Sequence, residues 1–194
     1  CVYSCRFCDF AAKRGDAHAY ELDEARILAD LADPELREAH VVGGLWPAWG
    51  LERSLNLVRR IRAARPELWI KAFTAVEVAY FARMERADHE TVLRAMLEAG
   101  VDALPGGGAE VLTPRVHQAL CADKASPEEW LAIHEAAHRI GLPSNATLLF
   151  GHVESLEERV DHLLRLRALQ DETSGLQAFI PLAFHPANTG LSDL

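Results

Sequence analysis

Five short apolar runs recur along this chain at intervals of roughly thirty residues, the size of a βα unit, and that rhythm limits the fold more than any other feature. The runs are Ala39–Val42, Leu68–Phe73, Val101–Leu104, Asn145–Phe150 and Ala178–Phe184. Unbroken apolar stretches of this length read as parallel strands buried on both faces. Between them lie amphipathic helices with clear punctuation. Asp23 caps a helix running to about Asp30, and Leu51–Ala64 carries Leu55, Val58 and Ile61 on one face. Asp88 opens a helix that Gly100 ends. Ser126-Pro127-Glu128-Glu129 and Ser155-Leu156-Glu157-Glu158 are capping boxes, the first with proline at the first helical position. Gly141 closes the former helix, and the latter runs to about Gln170. The pattern predicts an α/β fold: a TIM-type (β/α) barrel or part of one, with no linker dividing it.

Glycines and polar groups gather just after each strand. Gly43 and Gly44 follow the first, and Thr74 and Glu77 the second. Pro105, Gly106, Gly107, Gly108, Ala109 and Glu110 follow the third. Gly151, His152 and Glu154 follow the fourth, and His185, Pro186, Asn188 and Thr189 the fifth. In βα barrels this rim is where active sites form. Glycines there let backbone approach a ligand and offer N–H donors. Gly43-Gly44 alone is equally a strand-to-loop turn.

The chain opens with Cys1-x3-Cys5-x2-Cys8, with Phe7 before the last cysteine. Thiolates this close converge on one soft metal centre. A four-iron, four-sulfur cube normally takes four cysteines, so three leave one iron free for another ligand. A structural zinc with His18 as fourth ligand is the alternative, although zinc sites usually pair two close cysteine couples and no second couple exists. A disulfide framework needs more cysteines in a shorter secreted chain. Cys121, far along a helical stretch, reads as an inert thiol.

The net charge of −9 argues against a nucleic-acid surface. No apolar run is long enough to span a bilayer. Free thiols suit a reducing cytoplasm. His134 and His138 stand four apart on a helix but lack a matching carboxylate motif, so they and His162 read as ordinary helix residues. Arg159, Arg165 and Arg167 alternate with acids on what reads as a solvated face.

Several segments together resemble the aminofutalosine synthase family of radical S-adenosylmethionine (SAM) enzymes. They are Cys1 to Phe10, His40–Leu45, Lys71–Glu77, Leu104–Glu110, Leu149–Glu154, Leu169–Thr173 and Phe179–Pro186, in the family's order. The triple glycine, Lys71–Glu77 and Phe179–Pro186 favour this family over the cyclic dehypoxanthinylfutalosine synthases and the deazaflavin-cofactor synthases. One departure is Trp46-Pro47, where the family has His-Pro. The resemblance implies a partial radical SAM barrel, residues 1–194 being its core domain, truncated at both ends. The first strand and the C-terminal part are then missing, and apolar faces and sheet edges should be exposed.

The resemblance further implies a [4Fe-4S] cluster on Cys1, Cys5 and Cys8, with SAM bound to the open iron and consumed as co-substrate. The 5′-deoxyadenosyl radical would add to 3-[(1-carboxyvinyl)oxy]benzoate and give 6-amino-6-deoxyfutalosine and carbon dioxide. Phe7, Gly43, Gly44, Thr74, Glu77 and Glu154 become candidate cofactor contacts. Lys71, Gly106, Gly107, Gly108, Glu110, Arg115 and His185 become candidate contacts for a small dicarboxylate substrate. A flavodoxin or ferredoxin is the expected electron donor, with no nucleic acid or membrane partner. A metal-binding scaffold that kept the fold without catalysis stays open.

Overall fold

A computed structural model describes residues 1–193. Helix α1 (Glu24–Asp30) precedes β1 (Glu38–Val41), α2 (Leu51–Ala64), β2 (Trp69–Ala72), α3 (Ala75–Glu85) and α4 (His89–Ala99). Then come α5 (Pro114–Cys121), α6 (Pro127–Arg139), β3 (Ser144–Phe150), α7 (Leu156–Thr173) and β4 (Leu176–Ala183). All pairings are parallel: β1 with β2, and β3 with β4. The third expected strand is reduced to two bridges, Lys71 to Ala103 and Leu104 to Ser144. Through them the chain forms one open parallel arc, β1–β2–(Ala103, Leu104)–β3–β4, the layout of part of a barrel.

The register sorts side chains onto two faces, since partners across a ladder point the same way. Ala39, Ile70, Ala72, Leu104 and Ala146 share one face and join the core with α2, α3, α4 and α6. Val58, Ile61, Leu93, Met96 and Ile133 meet them there, all fully buried. The other, concave face carries Glu38, His40, Lys71, Ala103, Asn145, Thr147, Ile180 and Leu182.

The expected caps form. Asp23, Asp88, Ser126 and Ser155 accept from the backbone N–H of Arg26, Thr91, Glu129 and Glu158. Helix α3 is additional to the elements read from sequence. It buries Ala75, Val76, Val78, Ala79, Phe81 and Ala82, so it lacks the polar face that marks a surface helix. Apolar side chains are exposed on β4, where Phe179, Ile180 and Leu182 are 44%, 37% and 46% exposed.

Candidate functional site

The cysteine loop lies across the C-terminal ends of the strands. Val2 donates its N–H to the Leu45 carbonyl at 2.8 Å, tying the loop to the turn after β1. A Cβ at Gly44 would sit 3.2 Å from the Cβ of Cys1, so only glycine leaves that approach unstrained. Further on, Arg6 donates its N–H to the Leu120 carbonyl at 2.9 Å, seating the loop on the end of α5. Cys5 and Phe7 pack against Val116, Leu120, Cys121 and Leu148.

Cys1, Cys5 and Cys8 are free and half-buried. Among the described residues, no three His, Cys, Asp or Glu side chains gather tightly enough for a single metal ion. A cube takes each thiolate on a different iron. His18 bonds the Ala11 carbonyl at 3.3 Å and is exposed. The donor set, three free thiols on one short loop against an open glycine turn, fits a cluster held on three cysteines. Burial pushes the Cys5 thiol up to about 11 against the pull of Lys124, and a metal would offset that by holding the thiolate. Cys121 is buried beside Cys5 rather than remote from it, and burial likewise raises its thiol to about 11.

Lys124 was not singled out in the sequence, yet it sits at this site. It forms a buried ion pair with Glu110, and its ammonium lies 5.1 Å from the centre of the Phe7 ring. Burial opposes its charge, but Glu110 and the Cys121 and Cys5 thiols outweigh that and raise its pKa. Glu110 adopts a left-handed backbone at φ 44°. The two are fourteen positions apart in a loop, so no local pattern marks the pair.

The Gly43-Gly44 turn is exposed, and it is held from behind. Gly43 donates its N–H to Glu77 Oε1 at 3.1 Å. The other oxygen, Oε2, accepts from the Thr74 N–H at 2.7 Å and the Thr74 hydroxyl at 2.9 Å. Thr74 and Glu77 thus form the capping box of α3. Burial pushes the Glu77 carboxyl up to about 7, against the pull of the bonds from Thr74 and Gly43. Phe73, the residue before this box, has φ 49° and packs edge-on to Phe81 at 5.5 Å.

The triple glycine is tightly packed at two of its three positions. A Cβ on Gly106 would strike the Ala146 backbone at 2.6 Å, and one on Gly108 would strike Val76 at 2.5 Å. Gly107 is half-exposed, with its carbonyl taken by the Trp130 indole at 3.2 Å.

Glu154 is similarly engaged within the fold. It accepts from the N–H groups of Gly151 at 2.6 Å and His152 at 2.8 Å, and from Arg159 at 2.5 Å. Its pKa is lowered, because these bonds and the facing His152 outweigh its burial. Arg159 is therefore not simply a solvated charge. Arg115 pairs with Glu158 and donates to the Val153 carbonyl at 2.8 Å. The Arg115 guanidinium holds Glu158 down to about 2. His162, expected to be ordinary, is buried and accepts the Leu112 N–H at 3.0 Å.

On the concave face Lys71 is buried and pairs with Glu38 at 2.9 Å, and His40 meets the same carboxylate at 2.6 Å. Nearby on that face, the Asn145 Oδ1 is buried without a partner. His185 follows β4 and is exposed. Trp46 is half-buried beneath the Arg14 guanidinium, 5.9 Å from its ring centre.

No helix among the described residues is long and apolar enough to cross a membrane. Comparison with known proteins places this geometry in context. Aminodeoxyfutalosine synthase of Thermus thermophilus is 43% identical over 99% of this chain and 52% of its own length. The Streptomyces coelicolor protein of that name is 41% identical over 95% of this chain and 48% of its own. A 5-amino-6-(D-ribitylamino)uracil–L-tyrosine 4-hydroxyphenyl transferase of Methanopyrus kandleri is 35% identical over 97% of this chain and 52% of its own. The chain thus spans about half the length of the curated relatives it matches. Among solved structures, Streptococcus suis SuiB bound to S-adenosylmethionine superposes with a TM-score of 0.61 at 15% identity, over 98% of this chain and 40% of SuiB. The Radical SAM superfamily profile matches residues 1–166, and the chain belongs to that superfamily, whose enzymes use a four-iron, four-sulfur cluster and S-adenosylmethionine.

Proposed function

We propose that this chain is the core of a radical SAM enzyme that joins the adenosyl carbon of SAM to the enolpyruvyl alkene of 3-[(1-carboxyvinyl)oxy]benzoate, giving 6-amino-6-deoxyfutalosine. The observation that carries this reading is the 43% identity to the Thermus aminodeoxyfutalosine synthase across nearly the whole chain. When bound, the cluster and SAM supply one-electron cleavage of the sulfonium and deliver the adenosyl carbon. This chain's residues bind, orient and exclude water.

In this reading Cys1, Cys5 and Cys8 hold the cluster. Their loop lies against Gly44 and Leu45, and the exposed backbone beside it at Gly43 would receive the methionine end of SAM. Phe7 lines the cofactor side. Lys71 is the better placed cation for a substrate carboxylate, since it lies on the concave face and can exchange Glu38 for the ligand. Arg115 is already paired with Glu158, so it shapes the Val153–Glu158 segment. The electron enters from a flavodoxin or ferredoxin in a reducing cytoplasm.

The test uses full-length protein, reconstituted anaerobically and given labelled SAM with the enolpyruvyl substrate. The adenosyl label should appear in an adduct with carbon dioxide released, and free 5′-deoxyadenosine should be minor. Deoxyadenosine formed in step with turnover and no adduct would sink this assignment. If tyrosine were consumed instead, the chemistry named for the Methanopyrus relative would apply. A protein that takes up no iron would be a scaffold.

A further inference from the structure

We propose that Glu77 is a positioning residue: its buried carboxylate clamps the Gly43-Gly44 turn against the cysteine loop and so sets the backbone surface offered to the amino-acid end of SAM. The inference rests on the functional reading above for its ligand, and on geometry alone for the clamp.

Glu77 lies on α3, after the second strand, while Gly43 follows the first. The bond from Gly43 N–H to Oε1 crosses 34 positions of sequence. It is a side-chain tie between these two rim segments, and its acceptor is fixed in place. Oε2 is bound twice by Thr74, and the carboxylate is 6% exposed. A peptide plane is rigid. Tying the Gly43 N–H to an immobile carboxylate therefore fixes the plane that ends in the Val42 carbonyl and the direction in which the turn continues to Gly44. From Gly44 the chain of contacts is short: its Cα face abuts Cys1, and Leu45 accepts the Val2 N–H at 2.8 Å. Glu77 thus controls the spacing between the exposed glycine turn and the first thiol. It does so without facing the ligand, since both oxygens are occupied.

The carboxyl group receives the three donors on two oxygens, one on Oε1 and two on Oε2. A glutamine there keeps one oxygen and turns an NH2 toward donors, so one side of the clamp opens. Aspartate is one methylene shorter and cannot span both Thr74 and Gly43.

The experiment compares full-length wild type with Glu77→Gln and with Thr74→Val, which removes one donor and leaves the carboxylate. The first readout is amide hydrogen exchange at residues 42–45 in the apoprotein, which needs neither cluster nor turnover. Glu77→Gln should speed that exchange about tenfold or more, the effect of about 1.4 kcal/mol of lost protection. The second is SAM affinity of the anaerobically reconstituted protein, followed by the change in the reduced cluster's electron paramagnetic resonance spectrum. Affinity should fall about tenfold, with iron content unchanged. Thr74→Val should shift both in the same direction by less. Unchanged exchange at residues 42–45 in either folded variant would overturn the clamp. Faster exchange with unchanged SAM affinity would overturn its link to the ligand. If wild type bound no SAM at all, the functional reading would fail, while the exchange experiment would still decide the clamp.

Discussion

The two ends of the strand arc both pair their polar side chains, but they differ in how much backbone they leave exposed. At the end where strands begin, polar side chains close on one another. Ser144 Oγ lies 2.7 Å from His134 Nδ1 and 2.8 Å from His138 Nε2, and His138 Nδ1 reaches Thr173 Oγ1 at 2.6 Å. The Trp130 indole stacks on His134, with ring centres 3.7 Å apart. Left-handed residues here are helix ends: Gly100 and Ser174 are C-caps, and Gly141 directly follows one. At the end where strands finish, Phe73 and Glu110 are left-handed without ending any helix, and Gly43 and Gly44 stay exposed. Left-handed conformations at bulky residues cost on the order of 1 kcal/mol or more and persist where surrounding structure enforces them. One end is closed for stability, and the other holds an open surface in a fixed shape, the division of labour expected of βα barrels.

The largest effect belongs to the cysteines, which exist only at the open end. Reconstituted full-length protein should bind about four irons per chain. Cys1→Ala, Cys5→Ala or Cys8→Ala should each abolish the cluster, read by iron analysis and visible absorption. Cys121→Ala should keep it, because Cys121 is buried in the apolar cluster beneath the loop. Loss of iron in Cys121→Ala would show that the fourth cysteine belongs to the site.

The next effect tests the closed end. A Cβ at Gly175 would clash with the His138 imidazole, 2.1 Å from its Cγ, and that ring is held from both sides by Ser144 and Thr173. Gly175→Ala should therefore destabilise the protein by about 2–4 kcal/mol, measured by denaturant unfolding. A loss below about 1 kcal/mol would mean that the histidine network yields easily.

Much of this was legible locally. Asp23, Asp88, Ser126 and Ser155 announce their helices because each cap and the N–H that donates to it lie three residues apart. The same signal was present in Thr74-x-x-Glu77, but α3 has no polar face, so the pair read as ligand contacts rather than as a cap. The triple glycine was visible while its reason was not. Gly106 faces Ala146, and Gly108 faces Val76, both more than thirty positions away. Lys124 escaped notice because a lysine paired at fourteen residues' distance looks like any surface lysine. The cysteine loop was readable because its chemistry is compressed into eight residues.

Titration separates the two ends further. Burial holds His134 down to about 3, so it stays neutral in the fold while the unfolded side chain protonates near 6.5. Its contribution to stability is complete above about 6.5 and is lost as pH falls toward 3. Glu77 runs the other way. Its folded value of about 7 lies above the ordinary 4.5, so the folded state binds the extra proton between those values. Stability from this group is fully present below about 4.5 and falls as pH rises to about 7, by about 3 kcal/mol in all. Denaturant unfolding of apoprotein at pH 5 and pH 7.5 should therefore show a steeper decline with rising pH in wild type than in Glu77→Gln. Parallel slopes would mean that Glu77 keeps an ordinary pKa.

The smallest effect on stability is expected at Gly43, and it bears most directly on the contrast. A Cβ there meets nothing within 4 Å, and its φ lies outside the left-handed region. Gly43→Ala should accordingly change stability by less than about 0.5 kcal/mol, against several for Gly175→Ala. Its methyl group would still project from an exposed turn that abuts the cysteine loop through Gly44. If that surface receives the amino-acid end of SAM, the methyl should weaken SAM binding while cluster content and unfolding midpoint hold. A closed packing site would give the reverse, with stability lost and affinity kept. Gly43→Ala behaving like Gly175→Ala would erase the distinction between the two ends. Weakened SAM binding at unchanged stability would place the ligand on the open one.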